Sequence, residues 1–190
     1  MWRKAEKELQ KDKYIGPLIK KWGSCTIKPR IHINYFQALI GEIIGQQLSG
    51  RVADVIEARL KSKVKGRLTP DKILNLAENE LRNCGMAWSK VRAVKDLALK
   101  TKNGELKVKI LDKLENNEVI EQLVQVKGIG RWTAEMFLMF SLARPDILPK
   151  DDLGISKALK NLKIKERDTE KWKPYRTVAS WYLWRSLENR

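Results

Sequence analysis

The stretch Leu123–Ile155, LVQVKGIGRWTAEMFLMFSLARPDILPKDDLGI, contains the two most informative features of the chain. Gly128 and Gly130 interrupt two helical patterns, so the backbone can turn sharply between them. The amides that open the following helix lack partners within it and attract a phosphate group. Further on, Asp151 and Asp152 open another helix, whose dipole favours a charged carboxylate. Either feature alone has an ordinary explanation, because glycine ends many helices and aspartate often caps them.

The charge of the chain favours a polyanionic partner. Its 190 residues include 39 Lys and Arg against 23 Asp and Glu, which gives a formal net charge of +16. At this size the excess indicates a nucleic acid first and an anionic membrane surface second. No apolar run is long enough to span a bilayer, and the chain opens on a charged helix instead of a signal peptide. We therefore expect an intracellular protein of the cytoplasm, nucleoid or nucleus that does not bind membranes.

The chain has few residues that could hold a catalytic metal. Cys25 and Cys84 are too few for a four-cysteine iron–sulfur cluster or a structural zinc site. His32 is the sole histidine, which argues against a histidine metal site and a Ser-His-Asp triad. We expect no organic cofactor, and we expect His32 to act through local hydrogen bonds.

The apolar periodicity is helical throughout and predicts an all-α fold. Thr69 and Pro70 form a typical helix start, and Ser89 is expected to cap the helix that follows it. The glycine turn should join two helices. The principal predicted helices are 35–46, 52–61, 90–101, 106–114, 117–125, 131–143, 152–160 and 177–187.

Four motifs in order resemble one family. They are IIGQQLS at 43–49, LRNCG at 81–85 followed by Lys90, the glycine turn, and WKPYR at 172–176. Together they resemble the helix-hairpin-helix DNA glycosylases, and within them the 3-methyladenine (alkylbase) glycosylases in a compact form without an N-terminal β domain. The resemblance implies a single unit, 1–190, of two helical lobes, with the hairpin and the catalytic acid flanking a central cleft. One lobe is expected at about 35–115 and the other at 1–34 plus 116–190.

The resemblance also implies roles for individual residues. Asp152 is expected to be catalytic, with Asp151 as the alternative, and Gln47 or Leu48 is expected to fill the gap left by a flipped nucleotide. The expected base pocket contains Trp132, Trp184, Met136 and Tyr182. The expected DNA contacts are Gln46, Gln47, Leu48, Lys127, Gly128, Ile129, Gly130, Arg131 and Thr133. Main-chain oxygens of Val124, Val126 and Ile129 are expected to hold Na⁺ or K⁺ at the hairpin. Core packing is expected for Trp22, Trp88 and Trp172.

The implied activity is hydrolytic excision of alkylated purines, of the 3-methyladenine and 7-methylguanine type, from double-stranded DNA by a monomer. Bifunctional relatives carry a lysine nucleophile two residues after the second hairpin glycine, where this chain has Trp132. We therefore expect no strand-cleaving lyase activity. Two alternatives remain open: a related glycosylase for oxidised, deaminated or mismatched bases, and a non-catalytic helix-hairpin-helix DNA-binding module.

Overall fold

The computed structural model describes residues 1–28 and 34–188, and these residues form helices and connecting turns without a β-strand. The all-α prediction is confirmed. None of the helices in this part of the chain has both the length and the apolar content needed to cross a bilayer. His32 lies outside the described residues.

Twelve α-helices follow one another in the described residues, with short 3₁₀ and π segments among them. The α-helices are α1 (Arg3–Leu9), α2 (Ile15–Trp22), α3 (Tyr35–Gly45), α4 (Gly50–Lys63), α5 (Pro70–Asn75), α6 (Glu78–Asn83), α7 (Trp88–Lys102), α8 (Asn116–Val124), α9 (Arg131–Met136), α10 (Leu153–Asn161), α11 (Glu166–Thr169) and α12 (Arg176–Arg185). The other segments are 3₁₀ helices at Val108–Lys113 and Glu170–Trp172 and a π-helix at Phe137–Ser141.

The helices group into two compact units. We call Ile31–Phe137 the hairpin unit, and Met1–Arg30 with Leu138–Arg190 the carboxylate unit. The expected boundary at 115–116 differs from the observed one at 137–138. The reason is that α9 packs against both α8 and α3, so the segment 116–137 belongs with the helices that precede it.

The hairpin unit is organised around α3, which is buried on most of its surface. Its buried residues are Phe36, Ala38, Leu39, Ile40, Ile43 and Ile44. Full burial of a side chain such as isoleucine stabilises a fold by about 1.5–3 kcal/mol. α3 packs against α4, α7 and α9, which confirms the prediction of a core helix.

Local sequence was sufficient to predict some helix starts but not others. Thr69 caps α5 by accepting a hydrogen bond from the Lys72 amide, as predicted. The expected Ser89 cap is wrong, because the Val91 amide bonds to the Ala87 carbonyl and the helix begins one residue earlier than Ser89. The predicted helix at 106–114 is a 3₁₀ helix, Val108–Lys113.

The carboxylate unit has its own core, in which α12 packs against α2, α10 and α1. Trp172 and Tyr182 are among its largest fully buried side chains. Trp22 packs partly buried against the same core. The expectation that Trp88 is buried is wrong, because 43% of it is exposed at the start of α7 in the hairpin unit.

Candidate active site

Residues of α7 contact the glycine turn between α8 and α9 and hold it in place. Gly128 has φ 78°, which favours glycine, and a Cβ added there would lie 3.0 Å from the Ala93 Cβ. The preceding amide, of Lys127, donates to Asp96 Oδ2 at 2.8 Å. Gly128 therefore meets two demands at once, a left-handed backbone and close contact with α7.

The start of α9 presents amide donors. Gly130 is its N-cap, and the first backbone bond of the helix runs from the Ala134 amide to the Gly130 carbonyl. The amides of the first turn precede this bond, so no carbonyl within the helix can accept from them. Arg131 in this turn and Lys127 before it have exposed side chains. Arg131 Nε also donates to the buried Glu135 at 3.1 Å.

Three residues predicted to contact DNA use their polar groups inside the protein. Gln46 Nε2 donates to the Gly128 carbonyl and to Thr133 Oγ1, each at 2.9 Å, and Thr133 is buried. The Ile129 side chain is buried and its amide donates to the Val126 carbonyl at 3.0 Å. Through these contacts Gln46, Ile129 and Thr133 shape the hairpin, and their contact with DNA stays a prediction.

The two candidate wedge residues are exposed. Gln47 has φ 56°, a left-handed conformation that is unusual for a residue with a side chain, and Leu48 is 38% exposed. Both directly follow Gln46. The structure keeps both as candidates.

Asp152 occupies the N-cap of α10. Its Oδ1 accepts hydrogen bonds from the Ile155 amide and from Trp184 Nε1, each at 2.8 Å. Two donors on one oxygen fix the orientation of the carboxylate. Asp151 is exposed, and its side chain has no hydrogen bond or ion pair within residues 1–28 and 34–188. The structure therefore favours Asp152 as the ordered acid of this pair.

Two further residues shape this site and were not foreseen from sequence. The Phe140 ring stacks on the Trp184 ring, with 5.9 Å between centroids and 29° between planes. A Cβ on Gly154 would lie 2.9 Å from Trp184 Cδ1 and 3.0 Å from Asp152 Oδ1. Glycine is unfavourable in a helix, so Gly154 in the first turn of α10 was the available signal.

Tyr182 does not have the expected place in a base pocket. Its ring is fully buried, and its hydroxyl lies 2.7 Å from the Gly23 carbonyl and 3.3 Å from Glu6 Oε1. Burial raises the pKa of this hydroxyl far above its usual value. Tyr182 therefore joins α12 to α1 and to the end of α2. It faces the core, while Trp184, two residues later, faces Asp152.

The remaining predicted pocket residues lie in the hairpin unit. Trp132, in the first turn of α9, is partly buried, and Met136 is 6% exposed. Their proposed contact with a base stays a prediction.

The residues expected to hold a monovalent cation lie at the end of α8 and in the hairpin, and cation binding there stays a prediction. Val124 ends α8, where helix carbonyls lack intrahelical partners, and the Val126 carbonyl turns back to accept from Ile129. Carbonyl oxygens suit hard cations such as Na⁺ and K⁺. In the described part of the chain, no three His, Cys, Asp or Glu side chains cluster closely enough to hold a metal ion.

Comparisons with known proteins identify the family of the chain. Residues 40–181 match the family described as HhH-GPD superfamily base excision DNA repair protein. DNA-3-methyladenine glycosylase 1 of Schizosaccharomyces pombe is 38% identical over 163 residues, which cover 80% of this chain and 72% of the relative.

Solved structures give the same result for the fold. The S. pombe 3-methyladenine DNA glycosylase in complex with abasic DNA is 33% identical, with a TM-score of 0.82 over 96% of each chain. A DNA-3-methyladenine glycosidase from Bacillus halodurans is 31% identical, with a TM-score of 0.83 over 97% of this chain and 88% of that one. The chain belongs to the HhH-GPD superfamily of base excision DNA repair proteins.

Proposed function

We propose that this protein is a DNA-3-methyladenine glycosylase that flips alkylated purines out of double-stranded DNA and hydrolyses their N-glycosidic bond. The product would be an abasic site, and the protein would act as a monomer wherever the cell keeps its DNA. Support comes from the family, from the similarity to 3-methyladenine glycosylases, and from the hairpin and the Asp152 site, each described above within its own unit.

The hairpin would hold the DNA backbone. The amides that open a helix have no acceptor within it and suit a phosphate, and the exposed Lys127 and Arg131 add positive charge beside them. A base inside the duplex cannot be reached, so the nucleotide must rotate out of the stack. Gln47 or Leu48 would then fill the vacated space. Na⁺ or K⁺ on the carbonyls of Val124, Val126 and Ile129 would help to hold the turn.

An alkylated base such as 7-methylguanine carries positive charge, which electron-rich rings attract by about 0.5–2 kcal/mol. Trp132 in the hairpin unit and Trp184 in the carboxylate unit are the two candidates for this attraction. Phe140 supports the Trp184 ring by stacking on it. A neutral oxidised base would call for polar groups that read its edge, so the tryptophans favour alkylated substrates.

The chemistry would depend on Asp152. A cationic base leaves as a neutral molecule when the bond to C1′ breaks, so it needs little help from a general acid. The demand is to stabilise positive charge on the deoxyribose, which a fixed carboxylate does electrostatically. Water then adds to C1′ and passes its proton to Asp152 or to solvent.

The observation that carries the proposal is the hydrogen bond from Trp184 to Asp152. It fixes a carboxylate next to an aromatic ring, which are the two groups that a cationic leaving base requires. The test is Asp152→Asn, because asparagine can keep the N-cap and accept the same two hydrogen bonds while losing the charge. We expect release of 7-methylguanine from methylated DNA to disappear while binding to abasic DNA persists.

The matched variant is Asp151→Asn, which removes a neighbouring charge and should keep activity. If Asp151→Asn is the inactive variant, the catalytic assignment moves to Asp151. If neither wild type nor variants release base but all bind DNA, the protein is a binding module.

The proposed lack of lyase activity has a separate test. A lysine nucleophile would form a Schiff base with the sugar that borohydride reduces to a stable adduct. Because Trp132 stands where bifunctional relatives carry that lysine, we expect no trapped adduct, and strand breakage only after alkali. A trapped wild-type adduct would contradict this assignment.

A further inference from the structure

One face of α7 touches both parts of the hairpin unit that are proposed to contact DNA. Lys90, Ala93 and Asp96 are spaced three residues apart and so lie along roughly one face of the helix. Lys90 Nζ donates to the carbonyls of Ile44 and Gln46 at 2.7 and 2.8 Å. Ala93 packs beneath Gly128, and Asp96 accepts from the Lys127 amide. The same face of α7 thus contacts the end of α3 and the hairpin.

The end of α3 is a strained turn. The Leu48 amide bonds back to the Gly45 carbonyl at 3.1 Å, with Gln46 at φ −51°, ψ 126° and Gln47 at φ 56°. This geometry resembles a type II turn, whose third position is usually glycine. A non-glycine residue in the left-handed region is unfavourable and persists only when its surroundings hold it. Gln47 places a side chain where glycine would be the easier choice.

The contacts of Lys90 and Gln46 connect α7, the turn after α3 and the hairpin to one another. The Gln46 carbonyl accepts a hydrogen bond from Lys90, and the Gln46 side-chain amide donates to the Gly128 carbonyl. Gly128 in turn packs against Ala93 of α7. No carboxylate pairs with Lys90 within residues 1–28 and 34–188. Partial burial lowers the pKa of its ammonium. A partly buried cation is unfavourable without compensation, so the carbonyls of Ile44 and Gln46 at the end of α3 are its principal partners.

We propose that Lys90 is a positioning residue, which fixes the turn that contains Gln47 relative to the hairpin. The candidate wedge residues Gln47 and Leu48 and the phosphate-binding amides of the hairpin would then contact the duplex at a fixed spacing. The duplex as ligand rests on the proposed function. The link between α7, the turn and the hairpin rests on the contacts alone. Lys90 acts through Gln46 and Gln47 and is not assigned a contact with substrate.

The chain offers a matched control for this role. Lys95, on the same helix, donates to the carbonyls of Leu74 and Leu76 at the end of α5. It therefore caps a helix end as Lys90 does, but α5 carries none of the proposed DNA contacts. Lys90→Met and Lys95→Met remove the same ammonium from comparable settings.

The experiment compares full-length wild type, Lys90→Met and Lys95→Met. The probes are an undamaged duplex, a duplex with a tetrahydrofuran abasic-site analogue beside 2-aminopurine, and 7-methylguanine-containing DNA. The fluorescence of 2-aminopurine rises when a wedge disrupts its stacking. Thermal melting reports any general loss of stability.

We expect both variants to melt at lower temperature. Lys90→Met should reduce the fluorescence response and single-turnover release of 7-methylguanine by about tenfold to 100-fold, because a small misplacement of a positioned group has effects of this size. Its affinity for undamaged duplex should change by no more than about twofold, since the hairpin amides are retained. Lys95→Met should keep both functional readouts.

Equal fluorescence responses from Lys90→Met and Lys95→Met would overturn the proposal, as would a wild type that gives no response. Loss of undamaged-duplex affinity in parallel with fluorescence would instead make Lys90 a phosphate contact. A wild type that gives the fluorescence response without releasing base would refute the proposed activity, while the fluorescence comparison still decides the role of Lys90. If Lys90→Met does not fold, Lys90→Arg keeps a donor of different shape, and the same comparison against Lys95→Arg applies.

Discussion

The hairpin and the Asp152 site are built in opposite ways. At the hairpin the side chains of Gln46 and Asp96 hydrogen-bond to the main chain and Thr133 accepts from Gln46, so backbone amides are the proposed binding groups. At Asp152 the proposed functional groups are side chains, a carboxylate and an indole joined by one hydrogen bond. Main-chain binding suits a phosphate, which has no sequence information to be read. Side-chain binding suits a reaction that needs one charge at one point.

The difference predicts that side chains added at glycines will affect the two regions in different ways. A side chain at Gly154 would displace the carboxylate of Asp152, the proposed catalytic group, directly. A side chain at Gly128 would disturb the packing that supports the hairpin amides, the proposed binding groups.

Gly154→Ala should give the larger effect, because its Cβ would lie within 3.0 Å of both Trp184 and Asp152. Displacing the carboxylate should lower single-turnover excision by about 100-fold with little change in DNA affinity. The measurement is release of 7-methylguanine under single-turnover conditions. Gly41→Ala is the control, since the nearest atom to its Cβ would be Glu57 Oε2 at an ordinary 3.5 Å. Equal excision by the two variants would show that the Trp184–Asp152 contact is not needed.

Gly128→Asp should act on binding in place of chemistry. It forces a side chain into a left-handed position, brings Cβ to 3.0 Å from the Ala93 Cβ, and adds negative charge beside the proposed phosphate. Strain of about 1–3 kcal/mol predicts weaker binding by about tenfold or more for every DNA sequence. Fluorescence anisotropy across a salt series measures it, and the log–log slope should lose about 0.9 per lost phosphate contact.

The control for that variant is Gly66→Asp, which has the same charge change at φ 108° with open space around the Cβ. Equal losses at Gly66 and Gly128 would mean that net charge, and not the hairpin, governs affinity.

Trp132→Ala should give the smallest effect and the most selective one. Loss of a cation–π contact predicts about 0.5–2 kcal/mol weaker transition-state binding for charged 7-methylguanine. Neutral hypoxanthine, where it is excised, should be affected less. The ratio of kcat/KM values on the two bases measures the difference. An equal loss on both would make Trp132 a packing residue and leave Trp184 as the sole candidate for cation recognition.

Local sequence determined the features that depend on neighbours along the chain. The helical period identified the apolar α3, Thr69 with Pro70 identified the start of α5, and two glycines identified the hairpin turn. Aspartate before an apolar helix identified the N-cap at Asp152. These features follow from backbone geometry and capping, so a short window of residues is sufficient to specify them.

Tertiary structure decided which distant groups meet. Trp184 reaches Asp152 across 32 residues, Gln46 reaches Gly128 across 82, and Lys90 reaches Gln46 across 44. The helical period shows which side of a helix is apolar, but it does not show what that side packs against. For this reason Tyr182 belonged to the core and not to a pocket. The same limit hid the supporting role of Gln46 and Thr133 in the hairpin, because the partners of a polar side chain within the protein depend on which elements folding brings to it.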